Sequence, residues 1–273
     1  MSSILTNTSA MVALSTLQDV NRGLNETQNR ISTGLKISSG KDNAAYFAIS
    51  MTMKGDSSMF QGINDGLTTT KNSLSTARLG AETVADLAQQ FTERVAFAQG
   101  SGLDLADVQK ELDGFLDRMT AAIDQATFNG SNFLDSTNTV TVVTGVSRAS
   151  GSFATTTVSF AEVDLGAIQT AFAGIDVSTS TDLAADLATA ETNYAAAVTA
   201  ATDLGVAEKT IEGQQMFLDS LIDTLDSGIG AMVDADMEAE AARLQSFQVQ
   251  QQLAVQSLSI ANQGPQNILS LFR

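Results

Sequence analysis

The sequence predicts a mainly α protein: an elongated antiparallel coiled-coil rod of long helices, with a small β-hairpin region in the middle of the chain. Three observations carry that expectation. Apolar residues recur at alternating spacings of three and four over long stretches, the pattern of a helix with one buried seam. The 273 residues include a single proline, so little interrupts those helices. One central stretch departs from the pattern and alternates Thr and Val with a period of two.

The elements follow in order. Near the start, Leu14, Leu17, Leu24, Ile31 and Leu35 keep a 3–4 register, with Asn21 and Gln28 occupying the remaining seam positions. Leu67, Leu74, Ala77, Ala81, Val84, Ala88, Phe91 and Val95 form a stronger seam, whose one polar member is Thr70. Leu105, Val108, Leu112, Phe115, Met119, Ala122 and Ala126 repeat it. Residues 136–181 change character: TNTVTVVTG and SFATTTVSFAEV read as hairpin strands, and LGAIQTAF as a helical or irregular piece. A long series then runs from Leu183 to Ile229, interrupted by Glu208 and Gln215. At 1.5 Å per residue that helix would reach about 70 Å, a length suited to a rod. Met237, Ala241, Leu244, Val255 and Leu258 continue the pattern with Gln248 and Gln251 interposed, while Phe247, Leu253 and Ile260 point elsewhere. Helices that are apolar on several sides and nearly uncharged expect several neighbours.

Composition narrows the chemistry. The chain has no Cys, His or Trp, which removes the usual ligands of zinc, haem and iron–sulfur sites and the commonest general base and thiol nucleophile. Its formal charge of −17 disfavours nucleic acid and anionic membranes. Residues 161–240 hold sixteen acids against Lys209 alone, whereas residues 241–273 hold no acid, only Arg243 and Arg273. No run reaches the roughly 20 apolar residues that span a bilayer, and MSSILTNTSA has neither the basic start nor the apolar core of a secretory signal. No membrane insertion is expected.

Three stretches imitate functional motifs. STGLKISSGKD, Ser32 to Asp42, has two glycines with Lys41 after the second, in the manner of a phosphate-binding loop. Such a loop needs four residues between its glycines and a hydroxyl after the lysine. Five residues separate Gly34 from Gly40, and Asp42 stands where the hydroxyl should be, its charge opposed to phosphate. Ser38 and Lys41 fit the Ser-x-x-Lys arrangement of penicillin-binding enzymes, but the SDN and KTG companions are missing. Asp234, Asp236, Glu238 and Glu240 imitate the first ligands of a calcium loop, with Ala239 in place of the required Gly and Gln245 in place of the closing Glu. A solvated linker is the expectation there. No catalytic, cofactor-binding or metal site is expected anywhere in the chain.

Three longer motifs, in collinear order, resemble the bacterial flagellin family. RISTGLKISSGKDNAAYFAIS, Arg30 to Ser50, is similar to that family's connection after its first terminal helix. FNGSNFLD, Phe128 to Asp135, is similar to its turn into the hairpins, and Asp234 to Arg273, ending ANQGPQNILSLFR, resembles its C-terminal signature. The resemblance implies a subunit that self-polymerises into the extracellular flagellar filament for swimming motility, not an enzyme. It implies residues 1–40 and 235–273 as a terminal coiled coil in the filament's inner core, and residues 41–234 as a rod domain with its hairpin region at about 136–181. Only about fifty residues separate FNGSNFLD from the long helix, so the protein resembles a minimal form without outer domains.

Filament-core packing is then expected from Leu14, Leu17, Leu24, Ile31, Leu35, Leu244, Phe247, Leu258, Leu269 and Leu271. Contacts between subunits are expected at the connector residues Arg30, Lys36, Lys41, Asp42 and Asn43. Glycosylation candidates are Thr144, Ser147, Thr155, Thr156 and Thr157, in a hydroxyl-rich segment that would face outward. The implied partners are other copies and paralogous flagellins, a filament cap, hook-associated proteins and an export chaperone. Export unfolded through the flagellar type III apparatus, without a cleaved signal peptide, is part of the same expectation. A hook-associated junction protein of the flagellum is the alternative within the same system. From another class, the alternative is a hydrolase using Ser38 and Lys41.

Overall fold

The computed structural model describes residues 6–147 and 154–271, with residues 264–271 described by their backbone alone. The described residues form six helices and one hairpin: α1 (Thr8–Thr33), α2 (Ala44–Ala98), α3 (Leu105–Gln125), β1 (Thr139–Ser147), β2 (Ala154–Ala161), α4 (Leu165–Ala173), α5 (Leu183–Val233) and α6 (Met237–Leu271). The mainly α class with one small antiparallel sheet is the class the sequence predicts. Each helix opens on an Asn or Asp whose side-chain oxygen accepts from the first free backbone amides. Asn7, Asn43, Asp104, Asp164, Asp182 and Asp236 do so in turn. Such caps are each worth roughly 1 kcal/mol.

The chain divides into two compact units, Ser58–Asp223 and Met1–Ser57 with Thr224–Arg273. Within Ser58–Asp223, α2 and α5 run antiparallel, because partner numbers fall on one helix as they rise on the other. Asn64 donates to Asp219, Lys71 to Glu212 and Arg78 to Glu208. Every apolar seam residue expected between Leu67 and Val95 is buried, as are Ala190, Ala197, Leu204, Ile211 and Leu218 of α5. Glycine 80 admits the end of α3: a Cβ there would lie 2.5 Å from the Ala126 Cβ and 2.9 Å from Leu134 Cδ1. Arg94 pairs with Glu111 along the same contact. On α3, Ile123 is buried where Ala122 was expected, and Phe115 is only half-buried. Phe172 of α4 meets Phe91 of α2 edge-on, ring centres 4.9 Å apart and both fully buried.

Strands β1 and β2 pair antiparallel from Thr139↔Ala161 to Ser147↔Ala154, with an irregularity between Val143 and Gly145. Thr144 is the extra residue. Its carbonyl accepts from Gln214 Nε2 of α5 at 3.0 Å, which satisfies the group that the ladder leaves over. Among the described residues, no helix is long and apolar enough to cross a membrane.

Candidate functional site

The unit built from the two ends of the chain holds the residues expected to matter for assembly. Helices α1 and α6 pair antiparallel: Asn7 faces Ala261, Asn21 faces Gln251, and Arg30 faces Glu240. The seam on α1 is Ala13, Leu17, Val20, Leu24, Thr27 and Ile31, with Ala13, Val20 and Thr27 the most buried. Half of the expected seam is therefore right and half is displaced by one residue. Leu17, Leu24 and Ile31 lie in it, but Leu14 is 46 % exposed and Gln28 is exposed. Leu35 falls beyond the helix end, half-buried, bridged to Asp234.

Helix α6 shows the same displacement. Its inward residues are Glu240, Leu244, Phe247, Gln251, Ala254, Leu258 and Ala261, again in alternating steps of three and four. Ala241, Gln248 and Val255 are exposed instead. Phe247 turns into the seam rather than away from it, and Gly23 is the reason. A Cβ on Gly23 would lie 2.7 Å from Phe247 Cζ, so the ring as it sits occupies space that a side chain there would take. Met11, Val12 and Leu14 on α1, and Val249, Leu253, Val255 and Ile260 on α6, remain largely exposed. The expected core residues Leu269 and Leu271 lie outside the residues whose side chains are described.

Helix α6 passes through Pro265. Proline has no N–H, so the carbonyl four residues earlier, that of Ala261, loses its helical donor. Asn7 Nδ2 donates to that carbonyl at 2.8 Å while Asn7 Oδ1 caps α1 at the amide of Ala10. One side chain thus satisfies an orphan group on each helix.

The connector between α1 and α2 explains the opening loop motif. Gly34 ends α1 in the left-handed conformation at φ 72°, its amide donating to Arg30 O. The chain is then held against the α5–α6 turn, Lys36 N donating to Val233 O at 2.7 Å and Ala235 N to Gly34 O at 2.9 Å. Asp42 Oδ2 accepts from the backbone amides of Ser38 and Ser39, both at 3.0 Å, and from both hydroxyls at 3.2 Å. The amides a phosphate would occupy are filled by the chain's own carboxylate. Ser38 Oγ donates to Asp42, and no hydrogen bond joins it to Lys41 among the described residues.

The acidic run also has other work. Asp236 caps α6, and Glu240, almost fully buried, accepts from Arg30 and Arg243, each at 3.3 Å. Of the five connector residues, Asp42 turns its carboxylate back onto the loop, Asn43 caps α2 through Ala45 and Tyr46, and Arg30 meets Glu240. Lys36 and Lys41 line a cavity of about 640 Å³ with Glu26, Arg30 and Tyr46. The glycosylation candidates separate as well. Thr155, Thr156 and Thr157 are exposed and Ser147 half-buried, whereas Thr144 is 3 % exposed, its hydroxyl shielded by the bulge that docks on α5.

The Ser38 and Ser39 amides, followed by their hydroxyls, hold the Asp42 carboxyl below its usual value of 3.8. A carboxyl depressed in the fold contributes stability above its unfolded value and loses it as pH falls through the folded one. The connector is therefore expected to loosen only below about pH 3.8. In Asp42→Asn the Ser38 and Ser39 amide shifts should no longer titrate in that window. Unchanged titration of those amides in the variant would refute the assignment.

Comparison with known proteins agrees with the motifs. Residues 4–139 match the bacterial flagellin N-terminal helical region and residues 185–272 the C-terminal helical region. A flagellin of Brucella melitensis biotype 1 is 38 % identical over the whole of both chains. Flagellin FljM of Caulobacter vibrioides is 33 % identical over all of this chain and 99 % of its own. A Vibrio parahaemolyticus chain, assigned to the flagellar hook-associated proteins, shares the fold alone, with a TM-score of 0.53 and 14 % identity over 71 % of this chain and all of its own. Full-length identity to flagellins decides between the two flagellar readings, and the chain belongs to the bacterial flagellin family, the subunits of the flagellar filament.

Proposed function

We propose that the chain works by assembly alone, with no chemistry of its own, and that its paired terminal helices are the assembling surface. The observation that carries this is the mismatch between the α1–α6 seam and the faces it leaves uncovered. Small and polar residues such as Ala13, Thr27, Gln251 and Ala254 fill the seam, while Val12, Leu253 and Ile260 stay in solvent. Residues 1–40 and 235–273 then form the filament's inner layer and 41–234 the outer rod. The connector, with Arg30, Lys36, Lys41, Asp42 and Asn43, touches neighbouring copies. Export unfolded through the flagellar type III apparatus supplies the chain to a growing tip. A cap, hook-associated proteins, an export chaperone and paralogous flagellins complete the set of partners. The test is electron microscopy of purified chain added to short filament seeds. Long fibres of uniform diameter are expected, and amorphous aggregate or no growth contradicts the reading.

The exposed row Thr155, Thr156 and Thr157, with Ser147 beside it, is the proposed carbohydrate-bearing edge of the hairpin. In a source cell that has the glycosyltransferases, native filaments should show an intact mass above that of the bare chain, with sugar on Thr155–Thr157 and none on Thr144. A mass equal to the bare polypeptide ends that assignment.

A further inference from the structure

Charge is segregated between the two compact units in a way the fold does not require. Residues 58–223 hold seven basic and 22 acidic residues, a net −15, and the rest of the chain carries only −2 of the total −17. Residues 30–41 are the opposite extreme, with Arg30, Lys36 and Lys41 and no acid. The one carboxylate just beyond, Asp42, is turned back onto the amides and hydroxyls of Ser38 and Ser39. Neither lysine ammonium has an acid partner among the described residues, although acids outnumber bases in the chain by 31 to 14. Both line the cavity of about 640 Å³ at the connector. Arg30 there is paired with Glu240 and Asp42 is turned onto the loop, so that among the described residues Glu26 is the one other carboxylate in the lining against the two lysines.

The complementary surplus is in the other unit. Asp86, Asp117, Asp124, Glu191 and Asp203 are exposed, and their carboxylates meet no cation among the described residues. Chains that each carry −17 repel one another at the distances of a polymer. A contact that sets the cationic connector of one copy against the acidic unit of the next converts part of that repulsion into attraction and fixes which faces meet.

We infer that the connector cavity is a docking site for carboxylates of residues 58–223 of a second copy, with Lys36 and Lys41 as the recognising cations. This rests on the assembly reading above and names the surface that the connector meets. A free polyvalent anion is the competing occupant, and the experiment separates the two.

The full-length chain carrying Lys36→Glu and Lys41→Glu is compared with one carrying Lys54→Glu and Lys209→Glu. Both make the same change in net charge, but only the first pair lines the cavity. Growth from wild-type seeds gives the critical concentration. It should rise about tenfold or more for the cavity pair, equivalent to about 1.4 kcal/mol or more, and far less for the control pair. No rise, or an equal rise in both, overturns the inference. Failure of the wild-type chain to grow at all counts against the assembly reading instead.

A second measurement needs no variant. Filaments grown from mixed light- and heavy-nitrogen chains are treated with a carbodiimide, which condenses a lysine Nζ with a carboxylate into an amide and releases the water as a urea. Mixed-isotope links from Lys36 or Lys41 to acids within 58–223 are expected. Links confined to one chain, links to acids outside that range, or none at either lysine overturn the inference. Bound phosphate at these lysines without such links identifies the competing occupant.

Discussion

Chains lacking residues 1–35 or residues 240–273 are expected not to polymerise, while the Ser58–Asp223 unit stays folded. Ordering a segment of that length costs roughly 1–2 kcal/mol per residue in backbone entropy. Helix α1 buries Ala13, Val20 and Thr27 against its partner and leaves Leu17, Leu24 and Ile31 half-buried. Of the three buried side chains, one is a methyl group and one carries a hydroxyl, against about 1.5–3 kcal/mol for a fully buried Val or Leu. The pair therefore recovers too little within a single molecule, since an isolated helix holds only by burying an apolar face. In the monomer both ends should exchange their amide hydrogens rapidly. In the filament, with Val12, Leu253 and Ile260 covered by neighbours, they should be protected as the helices described above. Hydrogen exchange on both states measures this. Protection at Leu17, Ile31, Leu244 and Leu258 in the monomer would sink the idea, as would normal filaments from either shortened chain.

The second large effect lies in the other unit. Phe91→Ala and Phe172→Ala are each expected to destabilise it by about 3–5 kcal/mol, the usual cost of emptying a ring-sized site in a packed core. Both rings are fully buried and meet edge to face at 62° between planes, so each loses a specific partner as well as its volume. The double variant should cost less than the sum of the singles by about 0.5–1.5 kcal/mol, the coupling typical of such pairs. Urea titration of full-length monomer, followed by a probe in α2 or α5, gives the three values. Strict additivity would mean that the two rings do not act as a pair.

Much of this was legible in the residues, and the exceptions share one cause. The seam from Leu67 to Val95 could be read because, Leu79 apart, the large apolar residues of that stretch are buried, so periodicity and burial coincide. On the terminal helices apolar residues lie on several faces. Periodicity then fits two stripes one residue apart, and it favours Leu14 and Val255 over the smaller Ala13 and Ala254 that are buried. The deciding contact is Gly23 beneath the Phe247 ring. An absent side chain contributes nothing to a hydrophobic pattern, so that contact carries no signal in one sequence. At the connector the spacing spoke against phosphate. What it did not disclose is that Asp42 occupies the amides itself, because a turn of five residues can place that carboxylate in several ways. Pro265 was a usable clue: its missing N–H announces a carbonyl in need of a donor, although not that Asn7 would supply it.

That hydrogen bond joins residues 254 apart in the chain. It therefore sets an order of events. During synthesis α1 leaves the ribosome well before its partner α6. Throughout that interval the earlier helix has no mate, however long translation takes, and its apolar side is open to any binding factor that arrives first. A chain that stops short of Ala261 can still cap α1 through Asn7 but lacks this link, keeping only those of Asn21 and Arg30. The pair can form only after α6 has been made, so a product interrupted before α6 would carry an unmated first helix.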